Sequence, residues 1–288
     1  MEEKMKKFLA FMLAAIMVLA MVSCGGKKDE ADTTEDKDND STEPAKEYNV
    51  KDFNLVNEGV LTVGAEIGYP PFEQYADDGV TAIGYDVDLA NAIGKKLGLE
   101  VKFIDTAFDT IDQGLGVNYD VIIAGYTINP ERLEQMLFSE PYINSYQAVI
   151  VRKDSDIKIE KLTDITGHSV AFQEGTTSGE LINDMKDTGT IDCTIVSNEK
   201  MLACFTMLEK GEVDMVICDS PVANIYLKKN PDAFKLAFQD TENPEQFGIA
   251  MPKTNTALQS AINDIFKDLE DEGFFQEEEE YWFSQANS

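Results

Sequence analysis

The stretch Asp120-Val-Ile-Ile-Ala-Gly-Tyr-Thr-Ile-Asn-Pro-Glu-Arg132 leads from a strand directly into a helix. Its first six residues form an almost continuous apolar run, which is typical of a parallel strand that is covered on both faces. Its last four residues place Asn129 as an N-cap, proline at the first helical position and an acid after it, and this combination marks the start of a helix. A strand followed by a helix is the repeating unit of an α/β sheet, so this fold class is predicted.

The same alternation extends to both sides of this stretch. Before this stretch, strands are predicted at 59–66 and 100–104, and helices at 86–97 and around Phe108. After it, strands are predicted at 169–172, 193–196 and 213–218, and helices at 177–185, 199–208 and 221–227. The two halves share a local pattern at their third strands, Gly116-Val-Asn-Tyr-Asp-Val-Ile-Ile123 and Gly211-Glu-Val-Asp-Met-Val-Ile217. The pattern indicates two similar doubly wound α/β lobes.

Two short extended segments, 148–151 and 248–251, lie between the two sets of elements. If both of them cross between lobes, the chain enters the second lobe once and returns. The apolar positions from Leu258 to Leu269 then form an amphipathic helix that completes the first lobe. We therefore predict a hinged protein in which lobe 1 comprises residues 54–147 and 248–288, lobe 2 comprises residues 148–247, and two crossover strands join them.

The N-terminal residues carry the features of a processing segment. Lysines at 4, 6 and 7 precede an apolar run over 8–22, which is shorter than the ~20 residues of a membrane span but suits a signal peptide. The following Ser23-Cys24-Gly25-Gly26 resembles a bacterial lipoprotein signal, which implies cleavage after residue 23 and lipidation of Cys24. The alternative is a plain secretory peptide with an incidental cysteine.

Residues 24–53 are predicted to be an acidic tether, because 27–50 contain no Leu, Ile, Phe or Trp with which to build a core. Together with a lipidated Cys24, such a tether predicts an extracytoplasmic protein that is lipid-anchored to the cell membrane. The whole chain of 288 residues has 54 acidic and 24 basic side chains, a net charge of −30. That charge argues against binding to nucleic acid or to an anionic membrane surface through electrostatic attraction.

Metal and cofactor sites are not expected. The single histidine excludes most histidine-rich metal centres, and the cysteine spacings match no standard zinc arrangement. The three cysteines of the second half, Cys193, Cys204 and Cys218, are predicted to be free buried thiols in preference to one disulfide.

Ligands of open α/β sheets bind beyond the carboxyl ends of the strands. This rule selects the loops at 66–72, before 108, at 125–132, at 173–178 and at 219–220. The loops contain one arginine, an aspartate on the opposite lobe, several hydroxyls and two aromatic rings, namely Arg132, Asp219, Thr127, Thr176, Thr177, Tyr69 and Phe108. Arginine binds a carboxylate bidentately, a buried aspartate binds an ammonium group, and aromatic rings can sandwich a side chain. Together these groups describe a site for an α-amino acid.

Several motifs within 55–285 carry a resemblance to a known family. They are Tyr69-Pro-Pro-Phe-Glu73, Gly84-Tyr-Asp-Val-Asp-Leu-Ala90, the stretch 120–132, Phe138-Ser-Glu-Pro-Tyr142, Gln173-Glu-Gly-Thr-Thr177, Gly211-Glu-Val-Asp214 with Asp219, and Phe247-Gly-Ile-Ala250. In order and spacing they resemble the bacterial extracytoplasmic solute-binding proteins of the polar amino-acid group (family 3), the capture subunits of ABC importers. The resemblance implies a type II periplasmic-binding-protein-like fold, hinge closure on the ligand, delivery to an ABC permease, and a monomer.

The resemblance also implies roles for residues at the amino-acid end of the ligand. Arg132 is expected to clamp the α-carboxylate with the hydroxyl and amide of Thr127 and the amide of Thr177. The α-ammonium group is expected to bind Asp219 and the carbonyl of Gly125.

At the side-chain end, Tyr69 and Phe108 are expected to flank the ligand. Glu66 lies where members that bind basic amino acids tend to carry an acid. Tyr126 and Gln173 lie where the family varies, so arginine, lysine, ornithine, histidine and glutamine all remain candidate ligands.

Each of these residues also has a structural interpretation. Arg132 could lie on the surface of its helix, Asp219 could be the N-cap of the helix that contains Pro221, and Glu66 could be solvated at a loop tip. Tyr69 and Phe108 could be core aromatics.

Two other functions remain open at this point. The first is a secreted dehydratase on the same scaffold, which would need an acid/base pair, and Glu66 and Glu174 are the candidates for it. The second is a tethered amino-acid sensor. Because the loops describe a binding site better than a catalytic one, we expect no catalytic residues and no enzyme activity.

Overall fold

The computed structural model describes residues 48–284. The predicted signal peptide, Cys24 and most of the predicted tether lie outside these residues. The strands are β1 (Val60–Ala65), β2 (Gln74–Tyr75), β3 (Ala82–Ile83), β4 (Glu100–Asp105), β5 (Val121–Ile122), β6 (Met136–Phe138), β7 (Ile143–Ser145), β8 (Gln147–Arg152), β9 (Ser169–Gln173), β10 (Thr194–Asn198), β11 (Met215–Asp219), β12 (Phe234–Gln239), β13 (Glu245–Phe247) and β14 (Ala250–Pro252).

Helices follow most of the parallel strands. They are α1 (Tyr85–Leu97), α2 (Pro130–Gln135), α3 (Thr177–Asp187), α4 (Met201–Lys210), α5 (Ser220–Lys229), α6 (Thr256–Asp271) and α7 (Phe274–Ser284), and three 3₁₀ helices cover Val50–Phe53, Phe108–Gly114 and Leu162–Ile165. No helix within 48–284 is long and apolar enough to cross a membrane.

Two five-stranded sheets form the two lobes, in the orders β4-β1-β5-β14-β6 and β10-β9-β11-β8-β12. In each sheet three strands run parallel, with β1 between β4 and β5 and with β9 between β10 and β11. The remaining pairs, such as β14 with β6 and β8 with β12, are antiparallel. The predicted α/β class with two lobes is confirmed, and the antiparallel strands make both sheets mixed.

The connection between the sheets runs through a small ribbon in which β7 pairs antiparallel with β13. The segments that the sequence suggested as crossovers lie next to this ribbon and inside the sheets, 148–151 in β8 and 250–251 in β14. The two strands that pass between the sheets are therefore β7 and β13, a few residues earlier than expected in both cases.

Helix faces that the sequence marked as apolar pack into the core. On α1, Leu89 and Ile93 are completely buried and Leu97 is nearly so, while Lys95 on the opposite side is exposed. Because these three leucine and isoleucine positions recur every fourth residue, they cover the sheet as one stripe. The predicted apolar positions of α6 are buried in the same cluster.

The ordered fold begins before residue 54. Val50–Phe53, which the sequence assigned to the tether, forms a 3₁₀ helix, and Phe53 is buried against the core. The side-chain amide of Asn255 donates a hydrogen bond to the Phe53 carbonyl. The assignment to the tether was wrong for these residues because Phe53 supplies the large apolar side chain that residues 27–50 lack.

The cysteine prediction is confirmed within the described residues. Cys193, Cys204 and Cys218 are all free and buried. Burial raises the pKa of the Cys204 thiol to about 12, so this group is uncharged and unreactive near neutral pH.

Candidate functional site

Loops at the carboxyl ends of the parallel strands of both sheets meet in one region. Glu66 directly follows β1, Gln173 ends β9, and Asp219 ends β11. The Tyr69 hydroxyl donates a 2.6 Å hydrogen bond to Asp219 Oδ2, and so joins a loop of the first sheet to a strand of the second. The structure thus brings together side chains that are 150 residues apart in the sequence.

Arg132 is buried, with 8% of its surface exposed, in the first turn of α2. The side chain of Asn129 caps this helix by accepting a 2.8 Å hydrogen bond from the Arg132 backbone N–H. The guanidinium group donates to the carbonyls of Thr127 at 3.0 Å and Gly175 at 3.2 Å. It also lies over the Tyr126 ring, 3.9 Å from the centroid, in a cation–π contact. Arg132 is therefore a fixed, buried cation and not a surface side chain.

Asp219 is buried at the N-terminus of α5, but its carboxylate does not cap the helix. The carboxylate accepts hydrogen bonds from Tyr69 at 2.6 Å and from Ser145 at 2.8 Å instead. Burial, followed by the negative charge of Glu245, raises the pKa of Asp219 to about 7. A buried carboxylate with this pKa would be stabilised in its ionised form by an ammonium group placed beside it.

The backbone at Gly125 is fixed by a hydrogen bond to the side chain of Asp86. Gly125 has a φ of +54°, a conformation that favours glycine, and its N–H donates a 2.7 Å hydrogen bond to Asp86 Oδ2. The Tyr142 hydroxyl donates to the same oxygen at 3.0 Å. Asp86, in the first turn of α1, therefore supports the loop that contains Gly125.

Glu245 was missed by the sequence reasoning. Its carboxylate accepts hydrogen bonds from the hydroxyls of Thr127 and Thr177, at 3.2 and 2.8 Å, and from the Gln147 side-chain amide at 2.8 Å. The two hydroxyls belong to threonines that the family resemblance assigned to a ligand carboxylate. Glu245 lies in β13, which pairs with β7. The sequence did not predict this pairing, and so it did not predict that Glu245 lies beside the two threonines.

Thr176 has a structural role in α3. Its hydroxyl oxygen accepts a 3.2 Å hydrogen bond from the Gly179 N–H, which caps the helix, and the hydroxyl donates to the Gln173 carbonyl at 2.7 Å. It therefore shapes the loop that carries Gly175 and Thr177.

Glu66 is completely buried and is not solvated at a loop tip. Its Oε1 forms an ion pair with the Lys200 ammonium group, and its Oε2 accepts a 3.1 Å hydrogen bond from Gln173 Nε2. The same Gln173 nitrogen donates to the Glu199 carbonyl at 2.9 Å. Lys200, which the sequence reasoning also missed, directly precedes α4 of the second lobe.

The predicted aromatic pair belongs to two separate clusters. Phe108 packs edge-to-face against Tyr126 with ring centroids 5.8 Å apart, whereas Tyr69 stacks on Phe72 at 6.4 Å. Both rings are buried, and they lie in different hydrophobic clusters of the described residues. Tyr126 thus contributes to two contacts at once, with Phe108 and with Arg132.

Comparison with known proteins gives the family. Residues 61–285 match the model of the bacterial extracellular solute-binding proteins, family 3. The ABC transporter arginine-binding protein 1 of Escherichia coli is 31% identical over 230 residues, 78% of this chain and 91% of that protein. The L-cystine-binding protein TcyA of Bacillus subtilis is 28% identical over 283 residues, 98% of each chain.

A solved structure agrees in fold as well as in sequence. An ancestral arginine-binding protein bound to arginine is 37% identical, with a TM-score of 0.73, and the match covers 78% of this chain and 98% of that one. The relatives bind different amino acids, so membership alone does not fix the ligand. The family model spans the two lobes and the strands between them, and the chain belongs to the family 3 bacterial extracellular solute-binding proteins.

Proposed function

We propose that this chain is the substrate-capture subunit of an ABC amino-acid importer, and that it binds a basic L-α-amino acid between its two lobes. The observation that carries the proposal is the set of three buried charged side chains, Arg132, Asp219 and Glu66, each of which is hydrogen-bonded to a residue of the opposite lobe. Buried charges are costly unless they are paired, so a cluster of this kind is expected at a site for a charged ligand.

The charges match the two ends of a basic amino acid. The Arg132 guanidinium has five N–H donors and uses two of them on backbone carbonyls, and the others can bind the α-carboxylate. Asp219 is the acid for the α-ammonium group. Charge-assisted contacts at both ends make a micromolar affinity, on the order of −8 kcal/mol, easy to reach.

Glu66 is the acid for the side chain of the ligand. As a completely buried carboxylate, Glu66 favours arginine, lysine, ornithine or protonated histidine over glutamine, because only these bring a positive charge that can replace the Lys200 ammonium group on it. The relative from Escherichia coli that is named an arginine-binding protein supports this choice.

Capture is proposed to use hinge closure of lobe 1 (54–147 and 248–288) on lobe 2 (148–247) about β7 and β13. The hydrogen bonds from Tyr69 to Asp219 and from Arg132 to the Gly175 carbonyl are of the kind that closure makes, because each joins one lobe to the other. The protein would act as a monomer outside the cell membrane, held there by a lipid on Cys24, and would dock on the permease after closing.

A thermal-shift screen of the twenty amino acids plus ornithine and cystine tests this function. A ligand that binds only the folded form raises the melting temperature by mass action, and we expect arginine, lysine and ornithine to give the largest shifts. Arg132→Ala is expected to remove the shift for every amino acid. A shift for cystine or glutamine alone would refute the basic ligand while leaving the family assignment intact.

The same samples test the dehydratase alternative. In the structure the two candidate acids have separate partners, since Glu66 pairs with Lys200 and Glu174 accepts a 2.7 Å hydrogen bond from Ser197. We expect an amino acid incubated with the protein to be recovered unchanged, as measured by NMR. Its conversion to a new product would favour the enzyme.

A further inference from the structure

The proposed acid for the ligand side chain already holds a cation of this chain. Lys200 Nζ pairs with Glu66 Oε1, and Gln173 Nε2 donates to Glu66 Oε2. Glu66 follows β1 in the first sheet, whereas Gln173 ends β9 of the second sheet and Lys200 lies between β10 and α4 of the same lobe. Both carboxylate oxygens are therefore engaged by donors from the opposite lobe.

The two members of the ion pair have very different environments. The Glu66 side chain is 0% exposed, whereas 48% of the Lys200 side chain is exposed. A buried carboxylate without a cation is strongly unfavourable, so Glu66 needs a positive partner. Lysine is a flexible, strongly hydrated cation, so Lys200 can move its ammonium group into water at low cost. Breaking the ion pair is therefore costly for the buried carboxylate of Glu66 and not for the ammonium group of Lys200.

We infer that Lys200 is a specificity-determining residue, whose ammonium group is a tethered competitor for the side-chain cation of the ligand. The inference rests on the proposed function in that it uses Glu66 as the side-chain acid. A cationic ligand must exchange with Lys200 on Glu66, whereas a ligand with a neutral side chain leaves the pair in place. Lys200 therefore lowers the affinity for basic amino acids and leaves the affinity for neutral ones unchanged.

Replacement of Lys200 tests this competition. Lys200→Met keeps most of the apolar stem and removes the charge. Lys200 precedes α4 without a side-chain capping hydrogen bond, so the helix loses no cap. Because the variant leaves Glu66 buried without its cation, we expect about tenfold tighter binding of arginine and of lysine, and less than about twofold change for glutamine, by calorimetry.

Two control variants separate competition from other effects of the substitution. Lys96→Met removes another ion-paired lysine and makes the same change in net charge. Lys96 lies on α1, and its ammonium nitrogen is 2.7 Å from a carboxylate oxygen of Glu272. This variant is expected to bind arginine as the wild type does. Lys200→Arg restores a cation and is expected to return the affinity toward the wild-type value. If Lys200→Met does not fold, as judged by circular dichroism, Lys200→Gln carries the same expectation.

The outcomes distinguish this inference from the proposed function. If the wild type binds arginine and Lys200→Met binds it equally or more weakly, Lys200 is not a competitor although the function stands. If the wild type binds no basic amino acid but Lys200→Met gains arginine binding, the proposed ligand is wrong and the competition is supported. If neither protein binds a basic amino acid, or if glutamine gains as much as arginine, the inference is overturned.

Discussion

Asp219 shows at the scale of one residue how burial prepares a group for its ligand. Its carboxylate keeps two hydrogen bonds, from Tyr69 and Ser145, but burial still raises its pKa to about 7. Near neutral pH the group is therefore divided between its protonated and ionised forms. Only the ionised form attracts an ammonium group, so a proton and the proposed ligand compete for Asp219.

This competition predicts a pH dependence of binding. Below its pKa of about 7 Asp219 is mostly protonated, so the affinity for an α-amino acid should fall as the pH is lowered from 8 to 6, by up to about tenfold per pH unit below 7. Binding at pH 7 should release protons, which calorimetry in buffers of different ionisation enthalpy measures. Asp219→Asn should bind weakly with a flat profile between pH 6 and 8. A wild-type profile as flat as that of the variant would contradict the role of Asp219.

At the scale of elements, the sequence predicts the helices and strands that have a local hydrophobic pattern, and it misses the short strands that form only by pairing with another strand. Strands β1, β4, β9 and β11 and helices α1 and α6 follow from apolar runs and helical periodicity within a few residues of their observed bounds. Strands of two or three residues, such as β2, β7 and β13, are too short to show a period. Strands β7 and β13 form by pairing with each other, and they lie far apart in the chain.

The same limit applies to the site. Arg132, Asp219 and Glu66 could be predicted as site residues from the sequence because each lies in a segment that follows a predicted strand, and ligands bind beyond the carboxyl ends of strands. Lys200 and Glu245 were missed because their contacts span 134 residues, to Glu66, and 68 residues, to Thr177. The docking of one sheet on the other creates those contacts, and no local pattern encodes it.

A buried carboxyl pair links the segment before β2 to the first turn of α1. Glu73 and Asp86 are both buried, and both oxygens of Glu73 lack a hydrogen-bond partner among the described residues. Burial, followed by the neighbouring charge of Asp86, raises the pKa of Glu73 well above its usual range, and burial raises the pKa of Asp86 to about 7. The folded protein therefore keeps protons here that the unfolded chain loses above about pH 4.

The pair predicts that stability falls as the pH rises from about 4 to about 7, because the unfolded chain binds fewer protons than the folded one in this window. Glu73→Gln keeps the size of the side chain and removes one acid. It should reduce the decline in the free energy of unfolding between pH 5 and 7.5 by up to about 3 kcal/mol, the limit for one proton over this range. Urea unfolding at the two pH values measures the decline. Glu100→Gln, at an exposed position of β4, serves as the control and should leave it unchanged.

At the scale of the whole molecule, the excess of acidic over basic side chains is expected to affect the rate at which a charged ligand associates. The net charge is −30, and only nine of the 54 acids lie between residues 27 and 50, so most of the negative field comes from elsewhere in the chain. Such a field attracts a cation over distances comparable to the Debye length, which shrinks from ~30 Å at 0.01 M salt to ~8 Å at 0.15 M. A zwitterion with no net charge feels almost no such attraction.

Salt should therefore slow the association of arginine but not that of glutamine. Raising the ionic strength from 0.01 to 0.15 M should lower the association rate constant of arginine several-fold, measured by stopped-flow fluorescence, because the attraction that speeds the encounter is screened. Glutamine provides the matched comparison, since it shares the α-carboxylate and α-ammonium groups and lacks the side-chain charge. Equal salt dependence for the two ligands would show that the field does not select between them, and would leave the choice of a basic ligand to Glu66.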